Sequence, residues 1–264
     1  MIDNAKAPRV RRVAALARKK DRRIQEQFLV EGPQAVRELL VYQPELAVTV
    51  YATTGTEPWQ HEVDRLADAA DVEIVRVTDE VLAAMAETVQ PQGVLAVARM
   101  RQVSLDEALV GAGLVAVLHE VRDPGNAGTV LRAADAAGAD AVIFSGESID
   151  PWHPKVVRST TGSLFHLPVV TAVTLDDAVN ALRAAGLRVL AADVNGDELS
   201  PSDSVLKDPL AWVFGNEARG LTDAERSIAD GARRLPIYGS AESLNLATAA
   251  SVCLYVTAFS QRNA

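Results

Sequence analysis

Hydrophobic and polar positions alternate along the first hundred residues in short blocks that predict strands and helices in turn. Two apolar runs, at 28–32 and 46–53, are typical of buried strands, and Pro33 is expected in the first turn of a helix. Thr78 is expected to cap another helix. The full prediction places helices at 9–20, 33–42, 61–70 and 78–88, and strands at 28–32, 46–53, 72–77 and 94–100. This alternation predicts a small α/β sandwich over residues 1–100.

A second alternating series follows a short segment of polar and small residues at 101–113, which we predict to be a linker. The predicted strands lie at 114–121, 139–146, 187–194, 210–215 and 233–237. The predicted helices lie at 127–138, 154–162, 175–186 and 222–231, with a long last helix from about Ser243. Residues 114–264 are therefore predicted to form a second α/β domain.

Composition excludes several classes of protein. Hydrophobic residues make up 48% of the chain and charged residues 23%, which is typical of a packed globular protein and not of a disordered one. The N-terminus lacks the apolar stretch of a secretory signal, and no apolar run is long enough to span a bilayer. The single cysteine, Cys253, lies in an apolar run and is interpreted as a small core residue. We predict a cytoplasmic location.

Charge is distributed unevenly along the chain. The net charge is −9, yet residues 1–23 carry nine basic and two acidic side chains. A basic segment on an acidic protein indicates a local phosphate-binding surface, although a solvated helix face or a loose tail is an equally good interpretation of charge alone. The candidate RNA-binding residues in this segment are Arg9, Arg11, Arg12, Arg18, Lys19, Lys20, Arg22 and Arg23.

Three other motifs are set aside. The glycine pattern at 111–116 leads into a strand, whereas a dinucleotide fingerprint must follow a strand and open a helix. The pattern at 215–220 has the glycine spacing of a P-loop but lacks the required lysine. No metal-ligand spacing relates the four histidines, and we predict no metal site; they are His61, His119, His153 and His166.

Three segments of the second domain carry candidate chemistry. In 119–140 a tight turn follows an apolar strand, Asn126 is placed to cap the next helix, and Arg132 is a lone cation among alanines. In 212–221, Glu217 follows the end of a buried strand, between Gly215 and Gly220. In 233–255 a loop of small and polar residues precedes an apolar helix and contains Ser243 and Asn245. Taken singly, each has a structural explanation in caps, turns or a cation reaching solvent.

Together these segments resemble the three signature motifs of the SpoU/TrmH branch of the SPOUT methyltransferases. The patterns are N-x-x-x-x-x-R, F-G-N-E-x-x-G-L and L-P-I-x-G-x-x-x-S-L-N, in this order, within residues 114–262. Residues 23–39 also resemble the L30e-like substrate-binding domain found in rRNA members of this family, through the pattern R-x-Q-x-x-F-L-V-E-G-x-x-x-V-x-E-L. The resemblance implies an L30e-like α/β sandwich followed by a domain with a parallel sheet and a C-terminal trefoil knot.

The resemblance also implies a cofactor and a set of roles. S-adenosyl-L-methionine would contact the chain around Gly215, Leu235, Ile237, Leu244 and Leu246. Arg132 would act on the ribose 2′-hydroxyl together with a substrate phosphate, either as an unusual base or by orienting the hydroxyl. Asn126 would position Arg132 or the ribose. The remaining polar positions, Glu217, Ser243 and Asn245, would organise the site by hydrogen bonds.

The implied function is 2′-O-methylation of a ribose in RNA by a homodimer. The L30e-like domain favours 23S rRNA, because tRNA-modifying members carry short helical extensions instead. A tRNA ribose methyltransferase and a non-catalytic RNA-binding protein that retains the fold are the alternatives. The methylated nucleotide, and the choice between a housekeeping and an antibiotic-resistance role, stay open.

Overall fold

The computed structural model describes residues 1–263; Ala264, the last residue of the predicted second domain, lies outside the described residues. The helices are α1 (Pro8–Ala14), α2 (Lys19–Gln25), α3 (Pro33–Tyr42), α4 (Pro58–Ala69), α5 (Asp79–Met85), α6 (Leu105–Ala108), α7 (Pro124–Ala137), α8 (Pro154–Thr160), α9 (Leu175–Ala184), α10 (Asp223–Ile228) and α11 (Leu246–Arg262). The strands are β1 (Gln27–Glu31), β2 (Ala47–Ala52), β3 (Ile74–Arg76), β4 (Val94–Arg99), β5 (Leu114–His119), β6 (Ala141–Ser145), β7 (Val169–Val173), β8 (Arg188–Glu198), β9 (Leu210–Phe214) and β10 (Gly231–Arg234).

The chain divides into two compact units. The first contains Met1–Arg101 and, in addition, Asp150–His166; the second contains Gln102–Ile149 and the described chain from Leu167 onward. The predicted boundaries at 1–100, 101–113 and 114–264 assigned nothing beyond residue 100 to the first domain, so they differ from these units in the segment around α8. Part of the predicted linker is the short helix α6, which Ser104 caps through its hydroxyl.

The first unit is built on a four-stranded sheet in the order β1-β4-β2-β3. Strand β4 is antiparallel to both of its neighbours, whereas β2 and β3 are parallel. The predicted cap of α5 is confirmed, because Thr78 Oγ1 accepts from the backbone N–H of Val81 at 3.3 Å. Helices α1 and α5 cover one face of this sheet with an apolar core that includes Leu16, Leu82 and Met85.

The second unit is built on a six-stranded sheet in the order β10-β8-β9-β5-β6-β7, with every pair parallel. Strands β5, β6 and β9 are buried along their whole length, as expected for central strands covered on both faces. Strand β7 was not predicted; it lies at the edge of the sheet and is buried only at its start. The predicted fold class, α/β with a parallel sheet, is confirmed.

The last helix is attached to this sheet by a buried polar contact. Trp212 in β9 donates its indole N–H to Thr257 Oγ1 in α11 at 2.9 Å, and both residues are fully buried. Cys253 is buried on the same helix, and burial raises the pKa of its thiol to about 12. The interpretation of Cys253 as a core residue is confirmed by this burial, and a thiol with a raised pKa stays protonated at neutral pH.

Candidate active site

The three candidate motifs follow strands β5, β9 and β10. Parallel strands end at one edge of a sheet, so the turn at 120–123, the loop at 215–221 and the segment at 235–245 all begin at the same edge. The carboxyl edge of an open parallel sheet is where such folds place their ligands. Residues far apart in sequence can therefore meet here.

Glu217 connects the second motif to the first. Its carboxylate accepts the backbone N–H of Asp123 at 2.9 Å and that of Arg122 at 3.1 Å. The amide of Asn126 lies at the limit of hydrogen-bond distance, with Nδ2 at 3.5 Å from Glu217 Oε1. Because both carboxylate oxygens are engaged by the turn after β5, Glu217 holds that turn in place.

Asn126 does not cap α7, which corrects the sequence-based expectation. The cap is Asp123, whose Oδ1 accepts the backbone N–H of Asn126 at 2.7 Å, with Pro124 at the first helical position. An aspartate at this position satisfies the free N–H groups of the first turn, so the Asn126 side chain is not needed for capping. Its amide is available for the contacts of the site.

Asn245 connects the third motif to the first. Its Oδ1 caps α11 by accepting from the N–H groups of Ala247 and Thr248, while its Nδ2 donates to Asn126 Oδ1 at 3.0 Å. The predicted start of this helix near Ser243 is therefore two to three residues early, and Asn245, not Ser243, is the cap. The structure joins Glu217, Asn126 and Asn245 into one hydrogen-bonded chain, which we call the amide chain.

Arg132 and Ser243 lie outside the amide chain. Both side chains are exposed, and neither forms a hydrogen bond or an ion pair with any residue in 1–263. Arg132 projects from α7, whose Ala127, Val130 and Leu131 are buried. A guanidinium that the protein leaves unpaired keeps all its donors for an anion from outside.

The loop that carries Glu217 is also held by a group of side chains that the sequence analysis did not identify. We call this group the Arg219 cluster; its members are Arg219, Glu225, Glu120 and His119. The Arg219 guanidinium donates to Glu225 at 2.7 Å and to Glu120 at 2.9 Å. His119 Nε2 lies 3.1 Å from Glu225 Oε1, and its Nδ1 lies 3.0 Å from the Oγ of buried Ser145. The hydrogen bond from Arg219 is the main reason why the pKa of Glu225 is well below its ordinary value.

The loop itself is closed by Asn216 and two glycines. Asn216 donates to the carbonyl of Glu120 at 2.8 Å and accepts the N–H of Ala218 at 3.0 Å. A Cβ at Gly215 would lie 2.6 Å from the carbonyl carbon of Gly220, so only glycine allows this close approach. The signal for part of this arrangement was present in the sequence, because T-x-x-E at 222–225 is a capping box, and the structure forms it.

The predicted cofactor residues fall into two groups. Gly215 is buried where the loop at 215–221 packs against itself. The other four lie along 235–246, where Leu235 and Leu246 are partly buried and Ile237 and Leu244 are exposed. Within residues 1–263 the segment 235–244 forms no hydrogen bond. The adenine of S-adenosylmethionine is a flat ring with polar edges. Free backbone N–H and C=O groups can bond such edges, and the neighbouring aliphatic side chains can cover the faces of the ring, so these residues fit the cofactor.

Most of the predicted RNA-binding residues are exposed, with one exception. Arg11, Lys19, Lys20 and Arg23 are exposed, and the exposed Arg12 donates to Gln25. Arg9 and Arg18 pair with Glu73 and Asp21, and their side chains stay 43% and 72% exposed. Arg22 is the exception, with 1% exposure.

Arg22 forms a buried ion pair with Asp150 at 2.7 Å and donates to the carbonyls of Leu16 and Ala17. A guanidinium whose donors are all directed into the protein cannot reach an RNA phosphate. We therefore correct the prediction and remove Arg22 from the RNA-binding set.

Two further classes of site are a metal centre and a membrane-spanning segment. In the described residues no group of three or more His, Cys, Asp and Glu side chains is arranged to hold a metal ion. None of the helices in the described part of the chain is both long and apolar enough to cross a membrane.

Comparison with known proteins gives a consistent result for both halves of the chain. Residues 113–255 match the SpoU rRNA Methylase family, and residues 7–96 match the MRM3-like substrate binding domain. The first match contains all ten predicted catalytic and cofactor positions.

Similar proteins cover nearly the whole chain. The 23S rRNA (guanosine(2553)-2′-O)-methyltransferase RlmP of Bacillus subtilis is 34% identical over 96% of this chain and 97% of its own length. The AdoMet-bound structure of the SpoU methyltransferase AviRb from Streptomyces viridochromogenes is 32% identical, with a TM-score of 0.83 over 98% of this chain and 100% of its own. An AdoMet-bound rRNA methyltransferase from Sinorhizobium meliloti is 31% identical, with a TM-score of 0.83 over 97% and 96%.

Proposed function

The chain belongs to the SpoU rRNA methylase family, and from this membership we propose that it methylates a ribose 2′-hydroxyl of 23S rRNA with S-adenosylmethionine. The observation that carries the proposal is the amide chain, because it unites all three motifs at the carboxyl edge of the parallel sheet. A protein that only binds RNA has no need of that arrangement.

The cofactor would be held by the segment 235–246 together with the loop around Gly215. When bound, S-adenosylmethionine supplies an electrophilic methyl group on a sulfonium. The chain's part is to offer the free backbone groups of 235–244 to the polar edges of the cofactor and Ile237 and Leu244 to its apolar faces. The Arg219 cluster keeps the adjacent loop in one conformation.

Arg132 is proposed to act on the nucleophile. A 2′-hydroxyl is a poor nucleophile until its proton is removed or its oxygen is aligned with the methyl group. Arginine keeps its proton in proteins, so its effective contribution is to bind the neighbouring phosphate and orient the hydroxyl. Asn126 would position the ribose, with Glu217 and Asn245 fixing the orientation of its amide and Ser243 contributing a hydroxyl at the edge of the site.

RNA binding is proposed to involve the exposed basic side chains of the first unit. The revised set is Arg9, Arg11, Arg12, Arg18, Lys19, Lys20 and Arg23. These residues offer phosphate contacts that are independent of sequence, whereas recognition of the RNA must come from its shape and unpaired bases. The match of residues 7–96 to a substrate binding domain supports this division of tasks.

A homodimer, a trefoil knot and a cytoplasmic location complete the proposal. The apolar side chains of Val252, Tyr255 and Phe259 lie three and four residues apart on α11, so they share one face, and Phe259 is 60% exposed. An exposed apolar face on a helix whose other face is buried in the core favours a subunit interface. Sedimentation should show a dimer that Phe259→Asp disrupts; a fully active monomer would contradict this part.

The proposal is tested by methyl transfer. Purified protein should incorporate radiolabelled methyl groups from S-adenosylmethionine into 23S rRNA transcripts, and mapping of 2′-O-methyl sites in RNA from cells with and without the gene should identify the nucleotide. Incorporation into tRNA alone would favour the tRNA alternative. Cofactor binding without incorporation into any RNA would favour a non-catalytic RNA-binding protein.

A further inference from the structure

A small cavity lies in the first unit, and none of the proposed catalytic residues lines it. It has a volume of about 150 Å³ and lies between the end of β1, the segment that follows α5, and α8. Its lining includes Glu31, Gly32, Ala86, Gln90, Gln92 and Arg158. None of them has a role in the proposed mechanism.

One wall of the cavity is a fixed charge pair. Glu31 Oε2 accepts from the backbone N–H groups of Glu87 and Thr88 and from the Thr88 hydroxyl, at 3.0 to 3.2 Å. Glu31 Oε1 accepts from Arg158 at 3.1 Å, and the Glu31 side chain is only 5% exposed. A carboxylate oxygen with a single donor can accept another hydrogen bond. The charges of the pair compensate each other, so the wall favours a neutral polar group over an anion.

The lining of the cavity also includes two free amides. Gln90 and Gln92 are exposed, and within residues 1–263 their side chains form no hydrogen bond. Gln92 lies close over Gly32, since a Cβ there would be 2.9 Å from Gln92 Oε1, and Gly32 has a φ of 92° that favours glycine. Each glutamine amide offers both donors and an acceptor, which is the pattern that reads the edge of a base.

We propose that this cavity binds one unpaired nucleobase of the RNA substrate, an inference that rests on the proposed RNA methylation. A planar six-membered ring fits a cavity of about 150 Å³. Sequence-specific recognition of RNA mostly uses unpaired bases that have left the helical stack. Proteins form hydrogen bonds to the edges of such a base and place an aromatic ring or a guanidinium plane against its face. Gln90 and Gln92 supply the edge contacts, Glu31 Oε1 supplies an acceptor, and Arg158 supplies the plane.

The proposal is tested by a double-mutant cycle that combines protein variants with RNA variants. The quantity measured is the affinity for RNA, so the result does not depend on methyl transfer. The probe is a 23S rRNA fragment that the protein binds, with an abasic residue placed at each unpaired nucleotide in turn. Gln92→Ala should weaken binding of the intact fragment roughly tenfold, as expected for the loss of contacts to one base. At one position the abasic fragment should bind the wild-type protein at least as weakly, because it loses every contact to that base, and Gln92→Ala should cause no further loss there.

Two further variants complete the design. Ala86→Leu fills the cavity and should reproduce the loss, with thermal unfolding showing that it still folds; Gln102→Ala removes an exposed glutamine from the other unit and should bind as the wild type does. Additive losses at every abasic position, or binding within about twofold of wild type for both Gln92→Ala and Ala86→Leu, would overturn the proposal. A protein that shows the cycle but methylates no RNA would instead contradict the proposed function alone.

Discussion

The side chain of Asn245 donates to Asn126 Oδ1 at 3.0 Å, which connects the start of the last helix to the first motif across 119 residues of sequence. The same side chain caps α11 through Oδ1. One residue therefore has two separable tasks, a structural one performed by its oxygen and a positioning one performed by its nitrogen. The two tasks can be distinguished by substitution.

Asn245→Asp should lower activity without loss of stability. Aspartate caps a helix as well as asparagine does, but it has no donor for Asn126 and places a negative charge beside an oxygen. Asn245→Ala should lose both functions and reduce the free energy of unfolding by about 1 kcal/mol. Urea unfolding and methyl-transfer rates measured on both variants check this. Equal stability of the alanine variant and wild type would show that the cap contributes nothing.

Arg132→Ala should abolish methyl transfer while leaving cofactor binding intact. The side chain has no partner among residues 1–263, so its removal should not disturb the fold, and the loss of orientation should lower kcat by about 10²-fold or more. Single-turnover assays and calorimetric titration with S-adenosylmethionine measure the two effects. Arg188→Ala, which removes another exposed arginine of the same unit, is the matched control. Wild-type turnover by Arg132→Ala would disprove the assignment.

The sequence predicted the alternation of strands and helices but not which polar residue serves as a cap and which belongs to the site. Asn126 and Ser243 were both expected near helix starts, yet Asp123 and Asn245 are the caps. The D-P pair at 123–124 could have indicated the first of these, because proline favours the first helical position and aspartate the one before it. Pairs such as Asn245 and Asn126 depend on tertiary structure and have no local signal.

The insertion of 150–166 into the first unit was equally inaccessible to local patterns. Its helix was predicted, but the contacts that join it to that unit involve distant partners, among them the ion pairs Arg22–Asp150 and Arg158–Glu31 and the stacked rings of Phe28 and Phe165. Arg22 illustrates the consequence. In the sequence it is one of nine basic residues within residues 1–23, and nothing in the local pattern sets it apart. Only its burial in the structure distinguishes it from the other eight.

Stability should fall in acid through Glu225. Arg219, and further hydrogen bonds from Thr222 and His119, keep the folded-state pKa of Glu225 below its ordinary 4.5. The unfolded chain therefore takes up a proton first, and the free energy of unfolding should decrease as the pH falls below about 5. Glu225→Gln should reduce this dependence, measured by urea unfolding at several pH values. Glu198→Gln, in an exposed pair with Arg234, should leave it unchanged; the same pH profile for both variants would contradict the role of the Arg219 cluster.

The basic surface of the first unit should determine the salt dependence of RNA binding. Replacing Arg11, Arg12, Lys19, Lys20 and Arg23 by alanine should reduce the slope of log K against log salt by about 0.7 to 0.9 for each phosphate contact that is lost. Fluorescence anisotropy with a 23S rRNA fragment at several salt concentrations measures the slope. Arg188→Ala combined with Lys207→Ala is the control in the other unit. An unchanged slope in the first variant would assign the basic residues to a solvated surface.

Arg22 should behave differently from its basic neighbours, because its charge is buried against Asp150. Arg22→Met should lower the free energy of unfolding by about 3 to 5 kcal/mol, since it leaves a carboxylate buried without its partner. Replacing both residues, as in Arg22→Met with Asp150→Leu, should restore much of the loss, because no unpaired charge then remains. Urea unfolding of the two single variants and the double variant gives the coupling between them. Additive losses would mean that Arg22 stabilises the first unit through the carbonyls of Leu16 and Ala17 and not through the ion pair.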